Sequence, residues 1–217
     1  MKIISITDMH GSITGITQYL SDVDIVLLAG DLTNFGRKED TVQIVNEVRK
    51  YANEIYAVPG NCDYPEVNDY LTEQGINLHG KGKVINGFAL IGVGGSLPAL
   101  GKTPTEYSEE ELEDFFNRGI SEVPNDLPII LMSHQPPMDT ILDKLTSGTH
   151  VGSSTVRSFI EKHQPLICFS GHIHEGVGID SIGRTKLINP GPLRNGGYAY
   201  AELTNKVDVL EIKKINS

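Results

Sequence analysis

The chain has 217 residues, 39% hydrophobic and 21% charged, and its 18 Lys and Arg against 28 Asp and Glu give a formal charge of −10. A chain of this length buries roughly 70% of its unfolded surface, so it can hold a core without disulfides or a structural metal, leaving any bound metal free for chemistry. The acidic excess, with no basic run longer than Arg37-Lys38 or Lys213-Lys214, argues against nucleic acid as a partner, because duplex binding rests on clustered Lys and Arg. An anionic ligand would need a metal to supply the positive field.

No apolar run approaches the roughly 20 residues of a membrane helix. The opening Met1 to Ile6 turns polar at Thr7-Asp8, without the apolar region or cleavage site of a signal peptide. A cytoplasmic protein with no membrane partner is therefore expected. Its two cysteines are expected to be free thiols, Cys168 as a small buried hydrophobe in Leu166 to Phe169 and Cys62 in a Gly-Asn-Cys-Asp loop.

In chain order, strand-sized apolar runs cover Lys2 to Thr7, Asp24 to Ala29, Glu54 to Pro59, Pro128 to Ser133 and Pro165 to Ser170. They stop at Asp8, Gly30-Asp31, Gly60-Asn61, His134 and Gly171-His172 respectively. Between them, Lys38 to Ala52 places Val42, Val45, Val48 and Tyr51 on one helix face. Ser108-x-x-Glu111 reads as a capping box opening an amphipathic helix with Leu112, Phe115 and Phe116, and Ser154 to Lys162 aligns Val156, Phe159 and Ile160. The tail reads as strands at Ile179 to Asp180, Thr185 to Asn189, Tyr198 to Leu203 and Val207 to Ile212. The predicted fold is layered α/β, two packed sheets in a single domain over 1–217, with the polar strand ends converging at one site.

The candidates for chemistry are Asp8-x-His10, Gly30-Asp31, Gly60-Asn61-Cys62-Asp63, His134 and Gly171-His172-x-His174. Each is weak alone; together they offer carboxylates, imidazoles and an amide oxygen, a mixed N/O set suited to Mn, Fe, Zn, Co or Ni. If their segments are extended, residues i and i+2 project to one side, bringing Asp8 beside His10 and His172 beside His174. Glycines before Asp31, Asn61 and His172 are expected to permit sharp turns. A shared carboxylate can bridge two cations about 3.5–4 Å apart, a clamp for phosphoryl transfer.

These blocks, in this order from residue 8 to residue 174, resemble those of the calcineurin-like metallophosphoesterase family. The resemblance implies a two-sheet β-sandwich flanked by helices, in α-β-β-α layers. It implies one divalent metal on Asp8, His10, Asp31 and His174 and a second on Asp31, Asn61, His134 and His172, with Asp31 bridging. It further implies hydrolysis of phosphate esters, phosphodiesters foremost, by a water activated between the metals. Asn61, Cys62, Asp63 and His134 would be the catalytic residues, with His134 and His172 steadying developing charge. The chain departs from the family at Cys62, where the pattern has a histidine thought to protonate the leaving group. A thiol is a weak donor; small bacterial and archaeal phosphodiesterase-like members are similar in carrying this cysteine. Leu32-Thr33-Asn34 after Asp31 lacks the Arg of the protein phosphatases of this fold. The rival readings are a metal-binding interaction module of the same fold and a nuclease. Dimerisation is the general prior for such a protein.

Weaker candidates complete the set. His79 and His150 lie in glycine-flanked segments, as pocket-lining groups, proton donors or ordinary exposed loop residues. His163 reads as a cation complementing a helix C-terminus. Asn189-Pro190-Gly191-Pro192 reads as a rigid turn, Arg194 as a surface residue within reach of a phosphate, and Gly92-x-Gly94-Gly95 as a strand-ending turn.

Overall fold

A computed structural model describes residues 1–99 and 101–215. Its strands, in chain order, are β1 (Lys2–Ile6), β2 (Ile25–Ala29), β3 (Ile55–Val58), β4 (Lys81–Ile85), β5 (Phe88–Val93), β6 (Ile129–Ser133), β7 (Ile167–Phe169), β8 (Gly178–Ile182), β9 (Thr185–Asn189), β10 (Gly197–Leu203) and β11 (Val207–Lys214). The helices are α1 (Lys38–Arg49), α2 (Pro65–Glu73), α3 (Glu109–Ser121) and α4 (Ser154–His163). One sheet runs β11-β10-β1-β2-β3 and the other β4-β5-β6-β7-β9-β8.

The layering follows from alternation within the apolar strands. Ile25, Leu27 and Ala29 of β2 face the second sheet, packing with Leu90, Ile130, Met132 and Phe169. Val26 and Leu28 face the other way, beneath Ile44, Val45 and Val48 of α1 and Val67 and Leu71 of α2. On the far side, Ala89, Ile91 and Leu131 pack under Leu112 and Phe116 of α3 and Val156, Phe159 and Ile160 of α4. The result is the expected two-sheet, α-β-β-α arrangement, with both faces of the central strands covered, as parallel strands require.

The helix readings hold with local differences. The capping box opening α3 is formed: Glu111 N–H donates to Ser108 Oγ at 3.2 Å, and Ser108 N–H to Glu111 Oε2 at 2.8 Å. Helix α1 stops at Arg49, because a tight turn from Lys50 N–H to the Glu47 carbonyl at 3.2 Å closes it. Tyr51 lies beyond and is exposed, and the buried stripe is Thr41, Ile44, Val45 and Val48. Two features escaped the sequence reading. Helix α2 starts with Pro65 at its first position, where a missing N–H costs nothing. The β4–β5 hairpin turns on Asn86-Gly87, with φ of 49° and 83°, the tight turn that Asn-Gly favours.

Strands β1, β2 and β3 are mutually parallel, as are β5, β6, β7 and β9. The carboxyl ends of β1, β2, β3, β6 and β7 lead directly into Asp8, Asp31, Asn61, His134 and His172. Each sheet therefore contributes one side of the site.

Candidate metal centre

The strand ends meet because small residues let them. A Cβ on Gly30 would stand 2.2 Å from His134 Nδ1, one on Gly60 2.1 Å from Asp31 Oδ1, and one on Gly171 1.8 Å from Thr7 Oγ1. Only Gly30 of these three has a left-handed backbone; Gly60 and Gly171 serve close approach, where sharp turns were expected.

The candidate residues themselves take the unusual conformations. Asp8, His10, Asp31 and His172 have φ of 52°, 45°, 49° and 64°. The spacing argument from an extended Asp8-x-His10 segment thus gives the right convergence for the wrong reason: left-handed turns, not a pleat, aim these side chains. Such conformations cost of order 1–3 kcal/mol each and persist when surrounding contacts fix them. Here Asp8 N–H donates to the Gly30 carbonyl at 3.1 Å, His10 N–H to that of Asp31 at 3.0 Å and Gly11 N–H to that of Leu32 at 2.9 Å.

The side chains converge in two groups about Asp31. His174 Nε2 lies 3.2 Å from Asp8 Oδ1 and 3.5 Å from His10 Nε2, and His10 Nε2 lies 3.9 Å from Asp31 Oδ2. On the other side, His134 Nε2 lies 3.5 Å from Asp31 Oδ1 and 3.2 Å from Asn61 Oδ1. His172 packs its ring against that of His134, centroids 5.3 Å apart, and its backbone N–H donates to Asp8 Oδ2 at 3.1 Å. All the residues singled out in the five blocks are thus brought together.

The donor chemistry fits a cation. His134 Nδ1 lies 2.8 Å from the Ala29 carbonyl, an acceptor that needs a proton on Nδ1, and its Nε2 faces two oxygens, those of Asp31 and Asn61. Two oxygens and a ring nitrogen meeting at one point call for a positive charge between them, which a metal ion or a proton on Nε2 supplies. Ligand atoms of Asp8, His10 and His174 lie within 4.8 Å of one another, as do those of Asp8, Asp31 and His134, and those of His10, Asp31 and Cys62.

Electrostatics agree with this division. Burial opposes the Asp8 carboxylate, yet the hydrogen bond from His174, the charges of His134 and His174 and the Thr7 hydroxyl hold it well below the usual carboxylate range. Burial and His134 push His172 down to about 3, against the pull of Asp8; a neutral ring is the form that ligates a metal. The hydrogen bond to Asp8 raises His174. Burial, with Asp31 adding to it, pushes the Cys62 thiol well up.

Asp63 is fully buried, and both its oxygens are occupied. Oδ1 accepts from Thr33 N–H at 2.8 Å and Thr33 Oγ1 at 2.7 Å, and Oδ2 from Gly60 N–H at 2.8 Å and Leu32 N–H at 3.1 Å. It ties the Asp31 and Asn61 loops together, and no side-chain hydrogen bond joins it to Cys62. Cys62 instead donates its backbone N–H to Asp31 Oδ1 at 2.8 Å.

The weaker candidates separate. His79 is mostly buried, stacked on Tyr107 and tilted against Phe115 in a three-ring cluster, with Nδ1 accepting from Gly94 N–H at 3.0 Å; burial and the nearby Arg118 and Lys81 lower it to about 4. It is a neutral packing group. His163 ends α4 beside Lys162 and packs on Phe159; burial and Lys162 lower its affinity for a proton, which opposes the helix-end charge expected of it. Arg194 lies with Nη2 3.4 Å from His174 Nδ1, at the rim of the site. Asn189 is buried and braces the His172 loop, donating Nδ2 to the Ile173 carbonyl at 2.9 Å. The Gly94-Gly95 turn follows β5 and receives the Gly60 loop, Gly95 N–H donating to the Pro59 carbonyl at 2.9 Å. Two supporting residues had no motif to mark them. Thr7 donates its hydroxyl to Asp8 Oδ2 at 2.8 Å, and Gln135, beside His134, joins two loops through Leu97 N–H at 3.1 Å and the Val151 carbonyl at 2.9 Å.

Strand ends of a helix-flanked double sheet thus bring together two carboxylates, Asp8 and Asp31, four histidines and an amide, a donor set of the kind that could hold a metal. The chain belongs to the calcineurin-like phosphoesterase family, whose model matches residues 1–176. It is 40% identical over 197 residues to uncharacterized protein MJ1162 of Methanocaldococcus jannaschii, covering 88% of each chain. Among solved structures it is similar to TT1561 of Thermus thermophilus, with a TM-score of 0.77 and 20% identity over 99% of both chains. It is also similar to a dimetal phosphatase of Danio rerio, with a TM-score of 0.63 and 14% identity over 99% of this chain and 98% of the other. These likenesses to solved structures bear on the fold. Among the described residues no helix is long and apolar enough to cross a membrane.

Proposed function

We propose that the protein is a dinuclear metal-dependent phosphodiesterase acting on small phosphate esters. The observation that carries this reading is the placement of Asp31. Its Oδ2 faces His10 Nε2 at 3.9 Å and its Oδ1 faces His134 Nε2 at 3.5 Å, the arrangement a bridging carboxylate needs. Asp8, His10, Asp31 and His174 would hold one cation, and Asp31, Asn61, His134 and His172 the other. The mixed nitrogen and oxygen donors suit manganese, iron, zinc, nickel or cobalt. Two such cations polarise a phosphoryl oxygen and make water a nucleophile near neutral pH.

The chain's own residues do the rest. Asp63 holds the Asp31 and Asn61 loops in register, and Thr7 with the His172 N–H fixes the orientation of Asp8. Arg194, beside His174 at the rim, offers a guanidinium fork to a phosphate oxygen. The likeness to a dimetal phosphatase supports the two-metal reading, and the net charge of −10 supports a small substrate over nucleic acid.

The test is hydrolysis of an aryl phosphodiester beside its monoester, using metal-stripped protein refilled in turn with Mn, Ni, Zn or Mg, with elemental analysis of each preparation. Metal-dependent turnover favouring the diester, at about two ions per chain, is the expected result. Two bound ions without turnover of either ester would favour an interaction module, and turnover favouring the monoester would make the protein a phosphatase.

A further inference from the structure

The amino ends of the parallel strands, opposite the candidate metal centre, carry a basic groove. It has a volume of about 970 Å³ and is lined from the starts of β6, β7 and β9 and from the turn between β10 and β11. Its floor includes Leu127, Ile129, Leu166 and Val207, all half-buried. Leu166 and Val207 pack against the core between the sheets, and Leu127 and Ile129 against the core beneath α3 and α4. Two apolar layers therefore reach the surface side by side in one depression, and apolar surface rimmed by polar groups marks interaction sites.

Four cations form that rim: Lys162 near the end of α4, Arg184 in the turn before β9, Lys186 within β9 and Lys206 between β10 and β11. All four are exposed. Lys206 pairs with Asp208 at 3.7 Å, whereas Lys162, Arg184 and Lys186 have no carboxylate partner among the described residues. Asp126 is the one carboxylate among the described residues that line the groove. A chain of net charge −10 thus gathers cations at this one place and leaves most of them unpaired.

Backbone bonds fix the bases of these side chains. Gln164, left-handed at φ 48°, ends α4, and its Oε1 accepts from Arg184 N–H at 2.9 Å. Lys186 N–H donates to the Leu166 carbonyl at 3.1 Å, and Leu166 N–H to that of Ile129 at 2.8 Å. Long cationic side chains from separate segments are not the cradle of successive backbone N–H groups that grips a compact phosphate. They match an extended chain whose acids meet the rim and whose apolar side chains meet the floor. Duplex nucleic acid is opposed by the acidity of the whole chain.

We propose that this groove docks an acidic segment of a partner protein, with apolar residues spaced between its acids. The groove and the metal-ligand loops occupy opposite ends of β6 and β7, so docking leaves the metal centre open and does not depend on its chemistry.

The experiment titrates the full chain into a fluorescein-labelled peptide of four Asp-Glu-Leu repeats, read by fluorescence anisotropy at low and at physiological ionic strength. The acidic chain as a whole repels this probe, so binding reports a local basic site. Saturable binding that weakens with added salt is expected, and weaker binding of the matching Asp-Glu-Ser peptide. Arg184→Ser combined with Lys186→Thr should weaken the Leu peptide about tenfold, two exposed ion pairs being lost, with the melting temperature little changed. Lys38→Ser combined with Lys50→Ser makes the same charge change outside the groove and should leave the affinity within about twofold. Absence of saturable binding, an affinity unmoved by the groove variant, or an equal loss in both double variants would overturn the assignment. Displacement of the peptide by an equimolar amount of inorganic triphosphate or of a short DNA duplex would overturn it in favour of a phosphate ligand.

Discussion

The Thr7 hydroxyl occupies the space into which a side chain at Gly171 would project: a Cβ there would come within 1.8 Å of Thr7 Oγ1 and 2.7 Å of Asp8 Oδ2. This is where the two sheets touch at the metal centre, β1 leading into Asp8 and β7 into His172. Because Gly171 is not in the left-handed region, an alanine would act through this collision alone. Gly171→Ala is expected to cost about 1–3 kcal/mol of stability, the usual toll of overpacking, and to lower metal uptake by displacing Asp8. Denaturant unfolding of the metal-free chain, with metal titration of the same protein, separates the two effects. Unchanged metal affinity would mean that the site tolerates movement between the sheets.

Asp31 makes a second prediction. Asp31→Asn keeps an oxygen for the Cys62 N–H, which lies 2.8 Å from Oδ1, but removes the charge shared between the His10 and His134 sides. The variant is expected to fold, to retain fewer ions than the wild type by elemental analysis, and to lose more turnover than the roughly 10–100-fold associated with losing a ligand's supporting partner. Full metal content with full activity would show that Asp31 does not bridge.

The two-sheet fold and the list of converging residues were legible because each strand is a short apolar run ending in a polar group, and because five such endings recur in order. The mechanism of convergence was not legible. An Asp-x-His spacing looks the same whether the backbone is pleated or left-handed, and only the structure shows φ of 52° at Asp8 and 45° at His10. Nor does a lone Gln or Thr announce itself, so Gln135 and Thr7 went unmarked. His79 and His150 have similar glycine-flanked surroundings in sequence, yet one is packed against two aromatic rings and the other is paired with a buried acid. Helix α2 and the β4–β5 hairpin did carry signals, Pro65 and Asn86-Gly87, that local reading could have used.

His79, outside the candidate ligand set, fixes a pH dependence of its own. Its pKa falls from 6.5 to about 4 on folding, through burial and the charges of Arg118 and Lys81. The unfolded chain therefore binds this proton more readily than the folded one. As pH drops below 6.5 the unfolded state gains, and stability is lost down to about pH 4, where the folded ring is protonated too. Above pH 6.5 the group has no effect on the slope. The slope approaches about 1.4 kcal/mol per pH unit inside the window. His79→Gln, which keeps an acceptor for Gly94 N–H, should remove this component from a series of denaturation curves between pH 4 and 7. An unchanged slope would assign the acid sensitivity elsewhere.

Cys62 gives the last prediction. Its thiol is pushed well above its ordinary pKa, first by burial and then by Asp31 and Asp63, and Asn61 Nδ2 lies 3.6 Å from Sγ. A thiol needs to be a thiolate to attack, and the metal-free environment opposes that form. Cys62→Ala is therefore expected to keep turnover of an aryl diester within about tenfold, below the 10²–10⁴ that acid–base help contributes, and the metal-free wild-type thiol should react slowly with an alkylating reagent at pH 7. Both results would leave water as the nucleophile and confine Cys62 to packing against Asp31. Rapid alkylation at pH 7 accompanied by a collapse of activity in the alanine variant would instead identify Cys62 as a working nucleophile, and the solvent-derived attack would have to be abandoned.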